Sequence, residues 1–212
     1  MSARTGPGTA DPRHVRTTRL WLDEPVEADA EALLAIHGDP ASWRHLPSGV
    51  VTDPEAGRTM VAASRRRFER DGLAYWSVRD APGGAVVGRG GCAVPDEALA
   101  ADPTGRGWWN LYYRLDQAVL GRGYAAEMGV AALEAAHAVA PERPVLAYLL
   151  EHNHASRRTA ERLGLRLVWR GPDAGNPDPA AVRLVLLDRE PDDVLVSALA
   201  VEQMPPEGLV GR

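Results

Sequence analysis

The sequence predicts a single α+β domain on a mixed, mostly antiparallel sheet of about six to seven strands, with helices on both faces. Short segments alternating apolar and polar residues recur along the chain, as strands do. Two longer segments carry apolar residues at helical spacing. The order is strand, two helices, three strands, helix, strand, helix, two strands, without an internal repeat or a linker.

Each element has its local signature. Residues 1–16, rich in Gly, Pro, Ser, Thr and Arg, read as a flexible arm. Thr18 to Leu22 alternates and reads as the first strand. A helix follows from about Ala28 to His37, with Leu33, Leu34 and Ile36 on its apolar face, and Gly38-Asp39-Pro40 stops it. Residues 41–51 are irregular. A second helix runs from Asp53, a candidate N-cap before Pro54, to Arg70. Ala74–Arg79 and Ala85–Val94 flank the turn Asp80-Ala81-Pro82-Gly83-Gly84 and read as a hairpin. A polar loop spans Pro95 to Gly107. Trp108–Leu115 is an aromatic-rich strand. The next helix, reaching about Val139, places Ala125, Met128, Ala132, Leu133 and Ala136 on one face. Pro144–Leu150 is a strand, Asn153–Leu163 a short helix closed by Gly164, and Leu165–Arg170 and Ala181–Leu187 are the last strands. Residues 17–190 form the domain, and 191–212 read as a tail.

Bulk composition narrows the function classes. Of the 212 residues, 45% are hydrophobic and 25% charged, as in ordinary globular proteins. The net charge of -5 argues against a general nucleic-acid binder and suits a cationic partner such as an amine. Cys92 is the only cysteine, so no intramolecular disulfide forms, which fits a reducing cytoplasm. The N-terminal residues lack the apolar core of a signal peptide, and no stretch is long and apolar enough to span a bilayer. A cytoplasmic protein without membrane or nucleic-acid partners, as monomer or homodimer, is the expectation.

The chemistry concentrates where the strand ending at Leu115 turns into the next helix. Leu120-Gly121-Arg122-Gly123-Tyr124-Ala125-Ala126 opens that helix. The first amides of a helix lack partners within it and point at whatever precedes it. The dipole favours an anion there by roughly 0.3–1 kcal/mol. Two glycines let a ligand approach the backbone, and Arg122 adds positive charge. The bland alternative is a tight turn with glycines for geometry alone. A second segment tilts the balance: Glu151-His152-Asn153-His154-Ala155-Ser156 ends the next strand, with Asn153 a good N-cap for the helix that Gly164 closes.

Leu120-Gly121-Arg122-Gly123-Tyr124-Ala125-Ala126-Glu127 resembles the acetyl-CoA loop of the GNAT superfamily of N-acetyltransferases, written [Gln/Arg]-x-x-Gly-x-[Gly/Ala]. Gly123 and Ala125 match, and Leu120 departs from the first residue. The Rim-type branch, that of the ribosomal-protein-alanine acetyltransferases, commonly has Trp-Gly-x-Gly-Tyr-Ala-x-Glu, from which only the Trp differs. Asn153-His154-Ala155-Ser156 with Glu161-Arg162-Leu163-Gly164 is similar to that branch's second signature, as is the opening Thr18-Arg19-Leu20-Trp21-Leu22. The resemblance spans about Thr17 to Glu190.

It implies one GNAT-like domain, acetyl-CoA as acyl donor, no metal, and direct transfer to a primary amine of a protein N-terminus or small molecule. Tyr113, Leu115, Leu120, Gly121, Arg122, Gly123, Tyr124, Ala125, Ala126, Asn153 and Ser156 are the implied cofactor residues. The Leu115 amide maps to the oxyanion donor. Ser156 and Asn153 are the candidate catalytic pair, Ser156 assisting the leaving thiolate and Asn153 holding the cofactor or ordering water. Many relatives carry Glu where this chain has Asn110, which orients a water at most, so the base is unassigned. Asp116, Glu151, His152 and His154 are other candidates. Trp43, His45 and Tyr112 are the candidate acceptor-side residues, although Trp43 and His45 equally suit a hydrophobic plug under a loop. Tyr112 and Tyr113 face opposite sides of the sheet, and Trp108 and Trp109 pose the same choice between site and core. Arg65-Arg66-Arg67 reads as a solvated helix face.

Two alternatives stand beside this reading. A non-catalytic acyl-CoA-binding sensor or scaffold fits the missing Glu and the unmatched Leu120. A dinucleotide-binding oxidoreductase fits Gly121-x-Gly123-x-x-Ala126 alone, but no βαβ repeat or ribose-binding acid accompanies it.

Overall fold

A computed structural model describes residues 11–204 and 206–210. Eight strands form one open sheet: β1 (His14–Arg16), β2 (Trp21–Asp23), β3 (Tyr75–Arg79), β4 (Gly88–Ala93), β5 (Trp109–Leu115), β6 (Val145–Leu150), β7 (Arg166–Pro172) and β8 (Val182–Leu187). Their order is β1-β2-β3-β4-β5-β6-β8-β7. All neighbours pair antiparallel except β5 and β6, which are parallel. The helices are α1 (Ala30–Gly38), α2 (Ala56–Asp71), α3 (Asp96–Ala101), α4 (Tyr124–Val139), α5 (His154–Arg162) and α6 (Asp193–Val201).

The two faces are told apart on β4. A Cβ placed on Gly90 would run into Met128 of α4, so this face carries α4 and needs glycine for the close approach. Arg89 points the other way, to Ser64 of α2 at 3.2 Å. Helices therefore cover both faces, as the sequence predicts. Trp76, Trp109 and Trp169, with Leu22, Leu146 and Leu184, are fully buried in the core on the two sides of the sheet. Each such side chain contributes about 1.5–3 kcal/mol or more on burial.

Several elements differ from expectation. The sheet has one strand more than the upper expectation of seven, because His14–Arg16 pairs with β2. The flexible-arm reading thus fails over these three residues, and its first ten positions lie outside the described residues. The predicted strand Thr18–Leu22 is shifted to Trp21–Asp23, because Thr17 and Leu20 close a turn through a 3.0 Å backbone hydrogen bond. Side-chain alternation does not distinguish a turn from a strand over so few residues. The polar loop contains α3, and the expected tail contains α6. In α6 the Asp192 carboxylate accepts from the Leu195 amide at 2.7 Å, and Leu195, Ala198 and Leu199 are buried. Asp53 accepts from the Glu55 amide at 2.9 Å, and α2 begins only at Ala56.

One departure from regular pairing positions the site. β5 and β6 pair only through Trp109 with Val145 and Asn110 with Leu146. Beyond that β5 pairs with β4 alone and β6 with β8 alone. The strands splay into a wedge, with α4 and α5 on one of its faces.

Candidate active site

The Trp109 amide donates to the Pro144 carbonyl, on the β6 side of β5, whereas the Asp116 amide donates to Val87, on the β4 side. Backbone groups alternate along a strand. The amides and carbonyls of Leu111, Tyr113 and Leu115 therefore face the wedge, where β6 no longer meets them. A buried amide without a partner costs several kcal/mol in an apolar setting, so this edge calls for a polar ligand.

The wedge opens into a cleft of about 940 Å³ lined by residues of β5, β6, α4, α5 and the segment 41–46. That volume sits within the range of cofactor-sized pockets. Gly121 and Gly123 stand at its α4 end with φ of 78° and 80°. Only glycine adopts this left-handed backbone without strain. Space before them is open: a Cβ on Gly121 would meet nothing within 4 Å, and one on Gly123 only the Arg19 guanidinium at 3.6 Å. Glu127 anchors the first turn of α4. It accepts from Thr17 Oγ1 at 2.6 Å and the Arg19 amide at 2.8 Å, and these bonds hold its carboxyl below the usual range against the raising effect of burial.

At the other cofactor-side end, Asn153 caps α5 by accepting from the Ser156 amide at 3.2 Å. Tyr113 Oη lies 3.0 Å from both Ser156 Oγ and the Ser156 carbonyl. Burial raises the Tyr113 phenol above its ordinary pKa, so it stays protonated and donates. The wedge edge and the Tyr113–Ser156 pair thus meet on the α4–α5 side of the sheet.

The opposite face is built on Tyr112 and Arg114. His37 Nδ1 donates to the Leu33 carbonyl at 2.8 Å, so its Nε2 accepts the Tyr112 hydroxyl at 3.2 Å. Arg114 Nε donates to that same hydroxyl at 2.8 Å. Burial lowers the His37 pKa to about 4, with the Arg89 and Arg114 charges adding to the shift, so the imidazole is neutral at pH 7. Arg89 and Arg114 sit directly opposite each other on β4 and β5, and each is 8% exposed. Among the described residues neither pairs with a carboxylate. Arg114 donates to the Ser42 carbonyl and stacks 3.4 Å over the Trp43 ring; Arg89 lies 4.8 Å over Tyr75 and its Nε has no partner among the described residues. A cation–π contact returns about 2 kcal/mol when desolvated, less than the several kcal/mol that an unpaired buried ion costs.

The sequence-predicted residues divide accordingly. Tyr113, Leu115, Leu120, Gly121, Gly123, Tyr124, Ala125, Ala126, Asn153 and Ser156 all line the cleft, as do His45 and Tyr112. Arg122 does not: its guanidinium turns back to the Ala118 carbonyl at 3.3 Å and to Asp80 at 3.8 Å. Asn110 lies away from the cleft, donating to the Tyr75 hydroxyl at 2.6 Å. Trp43 packs beneath Arg114 and donates to the His37 carbonyl at 2.6 Å, which is the plug role. Three of the candidate bases, Asp116, Glu151 and His152, have other work. Asp116 caps a turn through the Ala118 amide, Glu151 binds Arg170, and His152 donates to the His45 carbonyl. Trp108 and Trp109 are both fully buried in the core, and Trp108 also borders the cleft. Burial makes Cys92 harder to ionise, which removes it as a nucleophile.

His37, Arg89 and Arg114 were not singled out from sequence. For the arginines a signal existed, since each is a charged residue within a predicted, largely buried strand. His37 had none; it ends a helix like many solvated histidines.

The comparisons agree with this geometry. A family model described as an acetyltransferase (GNAT) domain matches residues 19–166. The chain belongs to the GNAT acetyltransferase family. No match was found among curated protein sequences. Among solved structures, an acetyltransferase from Agrobacterium tumefaciens str. C58 is similar, with TM-score 0.66 and 23% identity over 89% of this chain and 100% of that one. An acetyltransferase (GNAT family) from Bacillus anthracis has TM-score 0.65 and 17% identity over 82% and 96%. RimL, a ribosomal L7/L12 alpha-N-protein acetyltransferase solved with coenzyme A, has TM-score 0.62 and 19% identity over 82% and 97%. These likenesses show the same fold.

Proposed function

We propose that this protein is an N-acetyltransferase that moves an acetyl group from acetyl-CoA to a primary amine by direct transfer in a ternary complex. The observation that carries the reading is the wedge itself. The unpaired β5 edge suits an extended, amide-bearing arm. The glycine-opened start of α4 suits a diphosphate at one end of that arm. When bound, acetyl-CoA supplies the acetyl thioester. The structure of RimL with coenzyme A supports that donor and gives the Rim-type branch some support.

In this reading the amides of Gly123 and the first turn of α4 hold the diphosphate. Leu111 and Tyr113 hold the arm through their backbones. The Leu115 amide donates to the developing oxyanion. Ser156, fixed by Asn153 and hydrogen-bonded to Tyr113, donates to the departing sulfur. Tyr112, held between Arg114 and neutral His37, faces the acceptor. The acceptor enters as a neutral amine, or loses its proton to water in the cleft, since the carboxylates considered as bases are engaged elsewhere.

A thiol-release screen with acetyl-CoA against amines of several classes, protein N-termini included, tests this. Turnover with at least one class is expected. Acetyl-CoA binding without thiol release from any class would favour the sensor or scaffold alternative.

A further inference from the structure

The acceptor face of the cleft carries a charge pattern that amine transfer alone does not need. Arg89 and Arg114 are cross-strand neighbours on one face, both buried, and neither has a carboxylate partner among the described residues. Like charges placed directly opposite each other destabilise a sheet. Arg114 reaches the cleft, with its Nε and one Nη committed to Tyr112 and Ser42. Arg89 stands behind it, and its Nε has no partner among the described residues. The side chains that touch the pair are Tyr112, Trp43, Tyr75 and Ser64, and none is a carboxylate. Pyrophosphate at α4 cannot be the missing anion. α4 packs against the Gly90 side of β4, whereas Arg89 and Arg114 project from the opposite side.

We propose that this arginine pair receives an anionic group of the acceptor, with Arg114 contacting it and Arg89 reinforcing the field from behind. The acceptor is then a small amine carrying a carboxylate or a phosphonate a few atoms from its nitrogen, as in an α-amino acid or an aminoalkylphosphonate. A carboxylate compensates one of the two buried charges, and a doubly ionised phosphonate compensates both. A guanidinium fork matches the geometry of either group. The proposal rests on the acetyltransferase reading for its amine, but the anion site has its own binding readout.

The experiment measures equilibrium binding to the CoA-loaded protein by calorimetry. The panel is the twenty α-amino acids, their carboxamides and the corresponding aminoalkylphosphonic acids. At least one anionic member is expected to bind tenfold or more tighter than its carboxamide, and the phosphonates distinguish the two anion sources. Arg114→Gln is expected to remove that preference while leaving acetyl-CoA affinity unchanged, and Arg114→Lys to retain part of it. Because Arg114 also holds Tyr112, Arg89→Met serves as a second variant. It is expected to weaken the anionic ligand severalfold without altering the carboxamide. Anionic members binding no tighter than carboxamides would overturn the proposal, as would equal loss of both ligand types in the variants. Failure to bind acetyl-CoA sinks the transferase reading instead, and the anion titration on the free protein still answers for the arginine pair.

Discussion

Ser156 and His37 show how single residues acquire roles from what surrounds them. A serine three residues into a short helix is unremarkable; hydrogen-bonded to a half-buried tyrosine beside the wedge, it is placed for the donor role proposed above. Ser156→Ala is therefore expected to lower kcat at least tenfold while changing acetyl-CoA affinity less than threefold, since a donor used mainly in the transition state affects rate more than binding. Steady-state kinetics with parallel calorimetry checks this, and equal losses would make Ser156 a binding residue. His37 has consequences for stability. Its pKa is about 4 in the folded chain against an ordinary 6.5. Between those values the unfolded chain binds a proton that the folded one does not. Stability is complete above about pH 6.5 and falls as the solution is acidified toward 4. The linkage amounts to about 2 kcal/mol between pH 7 and pH 5. Urea unfolding of His37→Gln at both pH values should show a smaller decline by about that amount.

Among the elements, the start of α4 is the most constrained. Gly121 and Gly123 both adopt left-handed backbone, and the space before them is open to a ligand. Gly123→Trp strains the backbone and fills that space at once. Acetyl-CoA binding should weaken by a hundredfold or more, while circular dichroism retains the native fold. Unchanged affinity would remove the diphosphate from this helix start. This turn was legible in the sequence because glycine spacing, strand and helix signals coincide over a few residues. The side chain of Arg122 was not. A polar chain on an exposed turn has several partners within reach, and Asp80, distant in sequence, takes it.

The whole molecule is one sheet whose two halves meet through two residue pairs. A ligand held in the wedge, as proposed, would bridge β5 and β6 and stabilise the fold by mass action, by about 2.7 kcal/mol at a hundredfold excess over Kd. A thermal melt should rise with acetyl-CoA concentration and stay unchanged with nicotinamide dinucleotides. The opposite result would favour the dinucleotide alternative. Burial of α6 against the domain also belongs to this scale: Leu195, Ala198 and Leu199 became core only once α3, distant in sequence, packed against them.

The sequence by itself determined the α+β class, most of the strands, and the two segments around Gly123 and Asn153, because these depend on local periodicity, capping and turn chemistry. Tertiary structure alone decided where β5 and β6 part, which amides are left facing the gap, and that Asn110 and Trp43 turn away from it. It also set Arg89 beside Arg114, 25 positions apart in the chain, on the face away from α4. Strand register and splaying arise from contacts between distant segments, and a linear pattern of residue types carries no record of them.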